Sequence, residues 1–345
     1  MAVVVIGESL NATIPAICDA VKAHDTAYIQ KVALEQVEAD SDYLDLNAQV
    51  TGRDELIDLP WMIESVRAVT NVPLVLDSSN PPALKHAMET IDWQGQYPVL
   101  SSINNKKGSA QNLLPLAAKY NTGIVALLLD DNGINHTAKG RFEICKELVA
   151  KSRDAGVADK NLWIDPLILP LGTDDNVGPI SFDLLQMMKA EFPEVRTFCG
   201  LSNVSFGMPH RALMNRTYVA MLAANGMEGF MINPRVKEMR AMIYAIRALM
   251  GEDEKCGKYI QAHRDGVLLT PMSDEMKAKL TEKQAQEEEK ARKKPDAKRV
   301  ARQQRKKATK TAELPETKKP TAMSAFLLEV IARITVIFCQ VNETK

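Results

Sequence analysis

Eight short apolar runs, each followed by a stretch of helical period, limit what this 345-residue chain can fold into. They are VVVIG (3–7), YLDLN (43–47), PLVLD (73–77), YPVLSSIN (97–104), GIVALLLDD (123–131), LWIDP (162–166), TFCGLSN (197–203) and GFMINP (229–234). Between the first two lies TAYIQKVALEQVEAD, where Asp25 is placed to cap a helix and Ile29, Val32, Ala33 and Val37 share one face. A strand followed each time by a helix implies parallel pairing through right-handed crossovers. Eight such units in about 250 residues predict a closed (β/α)8 TIM barrel. An open doubly wound sheet is the alternative, but it would carry a Gly-rich phosphate loop after its first strand, and GESLNA contains none.

The pattern ends near residue 262, so the barrel is assigned residues 1–262. The formal net charge of −1 conceals an asymmetry: residues 272–322 hold 16 Lys and Arg against 9 Asp and Glu, which leaves the body acidic. With few large apolar side chains, residues 263–322 are read as a solvated helix passing into a disordered basic linker. Residues 323–345 turn apolar again, but the run is shorter than a bilayer crossing and contains Glu329 and Arg333, so it is read as a docking helix or strand, with an interfacial anchor as the alternative, and no membrane span is expected. A charge run without interleaved aromatic residues is a weak nucleic-acid signal, and a non-catalytic nucleic-acid-binding role is the most distant alternative. Five cysteines without paired spacing argue against disulfides and against structural zinc. The amino terminus lacks the basic segment of a signal peptide, and a cytoplasmic location is expected.

In a barrel of this kind the loops after the strands form one face, where strand-end side chains converge. Those ends carry Glu8 and Asn11; Asp45 and Asn47; Asp77; Ser101 and Asn104; Asp130 and Asp131; Asp165; and Ser202 and Asn203, with Arg211 close by. Singly, each is a turn former or helix cap. Seven successive strands ending in acid, amide or hydroxyl groups point instead to a shared polar site. No strand ends in His, which argues against a histidine metal triad or a Ser-His-Asp relay, and the acidic ring disfavours a phosphate ligand. Carboxylates and amides together suit a flat, donor-rich heterocycle such as the 2-amino-4-oxo edge of a pterin, whose adjacent N–H groups match a carboxylate.

The segments LDLN, LDSSNP, IDPLILP and GLSNVSFG with a following NR resemble strand-end motifs of the methyltetrahydrofolate:corrinoid protein methyltransferases. These are relatives of dihydropteroate synthase and of the folate domain of cobalamin-dependent methionine synthase. The resemblance spans residues 1–262 and implies a methyltransferase that moves a methyl group between N5 of methyltetrahydrofolate and the cobalt of a corrinoid. It makes Asp77 and Asp165 the pterin-holding carboxylates and Asn203 the catalytic amide that addresses N5. Asp45, Asn47, Ser101, Asn104, Ser202 and Arg211 become supporting pterin contacts, with Glu8, Asn11 and Asp130 as further candidates. It also implies a homodimer, no protein-bound metal, and a corrinoid supplied by a partner protein, since the chain has no D-x-H-x-x-G signature of its own. The chain departs from the family at Ser101, where Asn is usual, and at Lys106, where an acid is common. Dihydropteroate synthase remains the alternative within the scaffold, although its G-x-S-R-K motif is replaced here by Gly200-Leu201-Ser202-Asn203.

Overall fold

The computed structural model describes residues 3–268. In chain order its elements begin with β1 (Val4–Asn11), α1 (Pro15–Ala23), α2 (Thr26–Val37), β2 (Tyr43–Asn47), α3 (Glu55–Arg67), β3 (Leu74–Asp77) and α4 (Pro81–Thr90). Next come β4 (Val99–Asn104), α5 (Ser109–Tyr120), β5 (Ile124–Leu127), β6 (Leu129–Asp130), β7 (Gly133–Ile134) and α6 (Ala138–Asp154). The described chain finishes with β8 (Leu162–Asp165), α7 (Val177–Glu191), β9 (Arg196–Gly200), α8 (Arg211–Ala224), β10 (Gly229–Ile232), α9 (Lys237–Leu249) and α10 (Gly257–Arg264). The strands close in the order β1-β10-β9-β8-β5-β4-β3-β2, every barrel pairing parallel, and the fold is the (β/α)8 barrel that the alternation predicts. From residue 269 onward the expected basic linker and apolar segment lie outside the described residues.

Period-2 alternation sorts the side chains. In β2, Leu44 and Leu46 point outward and are fully buried under α2 and α3, each stabilising the fold by about 1.5–3 kcal/mol. Tyr43, Asp45 and Asn47 take the opposite face, toward the barrel axis. Ile6, Val75, Val99, Val125, Trp163 and Phe198 form an interior cluster, with Trp163 and Phe198 at a ring separation of 6.4 Å. These side chains plug the lower barrel. Two residues further toward the carboxyl end, the next inward residue is polar on several strands: Glu8, Asp77, Ser101 and Asp165.

Asp25 caps α2 as expected, its carboxylate accepting from the Tyr28 amide at 3.0 Å. Ile29, Val32 and Ala33 are buried, whereas the fourth fully buried position is Gln36 and Val37 is half-buried. The reason lies in the first strand. A Cβ on Gly7 would meet Gln36 Oε1 at 2.5 Å, so the glycine makes room for an amide whose Oε1 accepts from the Ser9 amide at 2.9 Å. This side chain carries β1 past the expected end at Gly7 to Asn11, through a register shift against β2 between Gly7 and Leu10. Glu8 is therefore inside a strand, not after it. A second correction concerns GIVALLLDD, which is two elements: the barrel strand ends at Leu127, and Leu129–Asp130 pairs antiparallel with Gly133–Ile134 in a small hairpin. Asp131 and Asn132 form its turn and Gly133 takes φ +95°.

Candidate functional site

Inward-facing residues of β1, β2 and β3 gather three carboxyl groups at the mouth of the barrel. Asp45 is fully buried, and neither of its oxygens has a hydrogen-bond partner among the described residues. Burial pushes its carboxyl well above the usual carboxylate range, and the neighbouring charges of Asp77 and Glu8 push it further. Burial also raises Glu8 to about 7, against the pull of the Arg211 guanidinium. Asp77 is raised by burial too, opposed by Asn47, whose Nδ2 donates to Asp77 Oδ2 at 3.0 Å. Asn47 is itself oriented by the Gln49 amide, which donates to its Oδ1 at 3.0 Å. Ser101 stands level with Asp77 in the strand register and is buried.

Across the mouth, Asp165 ends β8. Its Oδ1 accepts from the Leu167 amide at 2.7 Å, and Leu167 occupies the left-handed region at φ +60°, a costly conformation for a γ-branched residue. Arg141 holds it there: this side chain of α6 is 2% exposed and its Nη1 donates to the carbonyls of Pro166 at 2.8 Å and Leu167 at 2.9 Å. Its Nε donates to the Asn135 carbonyl at 2.6 Å. Burial raises the Asp165 carboxyl to about 7, with the Leu167 N–H and the Arg141 charge acting in the opposite direction.

The third wall is the turn after β9, a 3-10 helix over Leu201–Ser205. Asn203 is exposed on it and caps nothing; α8 begins from His210, without any side-chain cap bond. Its amide lies over the last residue of β9, where a Cβ on Gly200 would sit 3.4 Å from Asn203 Nδ2. Gly200 follows Phe198 on the inward face, so the missing Cβ leaves space for that amide at the barrel mouth. Arg211 fastens the turn, donating from Nε to Ser205 Oγ at 3.0 Å and from Nη2 to the Ser202 carbonyl at 2.9 Å.

The structure thus brings Glu8, Asp45, Asn47, Asp77, Ser101, Asp165, Ser202, Asn203 and Arg211 to one end of the barrel. Three other expected residues have one side-chain oxygen engaged two residues ahead, as Asn47 and Asp165 do. Asn11 Oδ1 accepts from the amide and hydroxyl of Thr13, Asn104 Oδ1 from the Lys106 amide and Asp130 Oδ1 from the Asn132 amide. These are side-chain turns of the kind such residues form by default. Sequence reasoning missed Arg141, although its spacing to Ile144, Cys145 and Leu148 puts it on the buried stripe of α6. It also missed Glu55, raised by burial, which accepts from Gln49 Nε2 at 3.2 Å; at a helix start it reads simply as a dipole partner. Among the described residues no group of three or more His, Cys, Asp and Glu is arranged to hold a metal ion, and no helix is long and apolar enough to cross a membrane.

The architecture has relatives. A family model described as pterin binding enzyme matches residues 7–233. A methylcorrinoid:tetrahydrofolate methyltransferase of Eubacterium limosum is 31% identical over 266 residues, covering 76% of this chain and 97% of that protein. A methionine synthase of Mycobacterium tuberculosis is 25% identical over 244 residues, which are 67% of this chain and 20% of that protein. Among solved structures, a dihydropteroate synthase of Yersinia pestis with a pterin-sulfa conjugate aligns at a TM-score of 0.54 and 15% identity, covering 72% of this chain and 94% of that one.

Proposed function

The chain belongs to the pterin-binding enzyme family, and from that premise we propose that it moves a methyl group between N5 of methyltetrahydrofolate and the cobalt of a corrinoid carried by a separate protein. The observation that carries the reading is the convergence of Asp77 and Asp165 with the Asn203 amide at one barrel mouth. The two carboxyl groups accept the N–H donors of the pterin edge, and Asn203 is left to face N5. The 31% identity to a protein named for this reaction supports it.

In the direction away from folate, the N5–methyl bond breaks and its electron pair stays on nitrogen. The methyl group joins the electron pair of Co(I), giving methyl-Co(III), and N5 then takes a proton. A nitrogen anion is a poor leaving group, so charge developing at N5 must meet a fixed donor. The Asn203 amide supplies a hydrogen bond there without itself giving up a proton. Arg211 acts through the turn that carries Asn203, and Arg141 through the loop that holds Asp165. Ser101 offers a hydroxyl where the methyltransferase pattern has an amide; it reaches less far, and it bonds the ring directly or through water.

The test is to incubate the protein with methyltetrahydrofolate and free cob(I)alamin and to follow methylcobalamin and tetrahydrofolate together. Equal amounts of the two products are expected. Dihydropteroate formation from a pterin pyrophosphate and p-aminobenzoate, without methyl transfer, would replace this reading by the dihydropteroate synthase one.

A further inference from the structure

Asn47 and Asp165 share a turn geometry with Asn11, Asn104 and Asp130: in each, a side-chain oxygen accepts from the amide two residues ahead. They differ in what holds that amide. Thr13, Lys106 and Asn132, which supply it in the three local turns, are exposed. Leu167, ahead of Asp165, is held by Arg141. Gln49, ahead of Asn47, is held by its own side chain. Its Nε2 donates to Ser79 Oγ at 2.8 Å and to Glu55 Oε2 at 3.2 Å, and its Oε1 accepts from the Ser79 amide at 3.4 Å. The side chain thereby clips the loop after β2 to the loop after β3, two residues beyond Asp77. Glu55, the first residue of α3, is the buried end of this clip at 8% exposure. Ser78 and Asn80 stand beside its carboxyl, and its Oε1 has no hydrogen-bond partner among the described residues. A buried acid is costly there, and α3 does not need it as a cap, since Asp54 accepts from the Leu56 amide at 3.0 Å.

Resting on the pterin reading above, we propose that Gln49 and Glu55 are positioning residues of the pterin site, which act on Asp77 through Asn47. The order of contacts is fixed by chemistry. A backbone N–H only donates, so the Gln49 amide demands the Asn47 oxygen and turns Asn47 Nδ2 toward Asp77. That Nδ2 donates to Asp77 Oδ2 at 3.0 Å, while Asp77 Oδ1 has no donor among the described residues and is left for the ligand. The same donor opposes the rise that burial imposes on the Asp77 carboxyl, so it keeps the group ionised to lower pH. Glu55 fixes Gln49, Gln49 fixes Asn47, and Asn47 sets both the direction and the charge of Asp77. The loop after β8 is built on the same plan, with Arg141 holding Leu167 and Leu167 holding Asp165.

The test is calorimetric titration of the full chain with 5-methyltetrahydrofolate at pH 6 and pH 8, with melting temperatures on the same preparations. Gln49→Leu and Glu55→Leu are each expected to lose about tenfold in affinity at pH 6, the worth of a hydrogen bond to a charged group. The loss is expected to shrink at pH 8, because withdrawal of the Asn47 donor raises the Asp77 carboxyl and a higher pH restores its charge. Glu8, Asp45, Glu55 and Asp165 are unchanged between wild type and Gln49→Leu and cancel in that ratio. Glu55→Gln, which keeps an oxygen for Gln49 Nε2, is expected to bind as wild type does. In an Asn47→Ala background, Gln49→Leu is expected to cost nothing further, since both changes break one path. Gln49 is half-buried in a loop, so its variant reports even where Glu55→Leu does not fold. Wild-type affinity in Gln49→Leu overturns the proposal. Equal losses at both pH values that follow the melting temperature mark the clip as structural and overturn it, as does a full further loss on Asn47→Ala. A loss in Glu55→Gln as large as that in Glu55→Leu overturns it too. Wild-type protein that binds no 5-methyltetrahydrofolate at either pH fails the pterin reading itself.

Discussion

Replacing Asp165 by Asn should strengthen the apo fold and weaken the site at once, because the same carboxyl is costly in one state and useful in the other. The amide keeps an oxygen for the Leu167 N–H, so the turn after β8 survives. What changes is the charge. In the folded protein the Asp165 carboxyl holds its proton up to about pH 7, while in the unfolded chain it loses it near pH 4. Across that window the unfolded state releases a proton that the folded state retains, so wild-type stability falls as pH rises and levels off above about pH 7. Each pH unit is worth about 1.4 kcal/mol. Between pH 5 and pH 8 the Asn variant should therefore gain about 2 to 3 kcal/mol on wild type.

Any fixed cost of a buried amide cancels in that difference. Glu8, Asp45 and Asp77 are present in both proteins and cancel too. Urea midpoints of the two proteins at both pH values measure it directly. A difference that is independent of pH would refute the low-polarity environment assigned to Asp165. The same variant should lose roughly tenfold or more in affinity for methyltetrahydrofolate, since an amide cannot accept two N–H donors as an ionised carboxylate does. Wild-type affinity should accordingly rise from pH 5 to pH 7 and then level off. Unchanged binding by the variant would return Asp165 to the role of a turn former.

Three further perturbations probe the supports of the site. Gly200→Ala sets a methyl group 3.4 Å from Asn203 Nδ2 in a backbone that any residue tolerates, at φ −75°; methyl transfer should fall severalfold with an unchanged melting temperature, and a wild-type rate would show that the amide is not confined there. Arg141→Met leaves the carbonyls of Asn135, Pro166 and Leu167 without their donor and should cost about 3 kcal/mol or more by urea denaturation, together with pterin affinity; a stable variant that binds normally would contradict its hold on Leu167. Removal of residues 269–345 should leave a protein that binds methyltetrahydrofolate as wild type does, and loss of binding in a calorimetric titration would show that the basic extension completes the site.

The barrel was legible because the strand runs are short, apolar and evenly spaced, and because YLDLN alternates cleanly enough to put Asp45 and Asn47 on one face. Strand ends were less legible where a side chain elsewhere decides them. Nothing within VVVIGESLN announces that Gln36, nearly thirty residues later, accepts from the Ser9 amide and extends β1. The hairpin within GIVALLLDD was hidden because a continuous apolar run has no period to break. In the site, acids and amides at strand ends were the right signal, but a residue type does not say whether its oxygen is already taken. Asn11, Asn104 and Asp130 accept from amides two residues ahead, as Asn47 and Asp165 also do, while Asp45 has no donor among the described residues. That distinction rests on the backbone path after each strand, which period and composition leave open.

The role of Asn203 at N5 is tested by single-turnover methyl transfer from methyltetrahydrofolate to cob(I)alamin by Asn203→Ala, with the dissociation constant measured on the same preparation. Its side chain makes no hydrogen bond among the described residues, so removal should leave stability and ligand affinity close to wild type. The rate should fall by about a hundredfold or more, the effect of deleting one preorganised donor from a developing negative charge. A variant that binds methyltetrahydrofolate and transfers its methyl group at the wild-type rate would contradict the account.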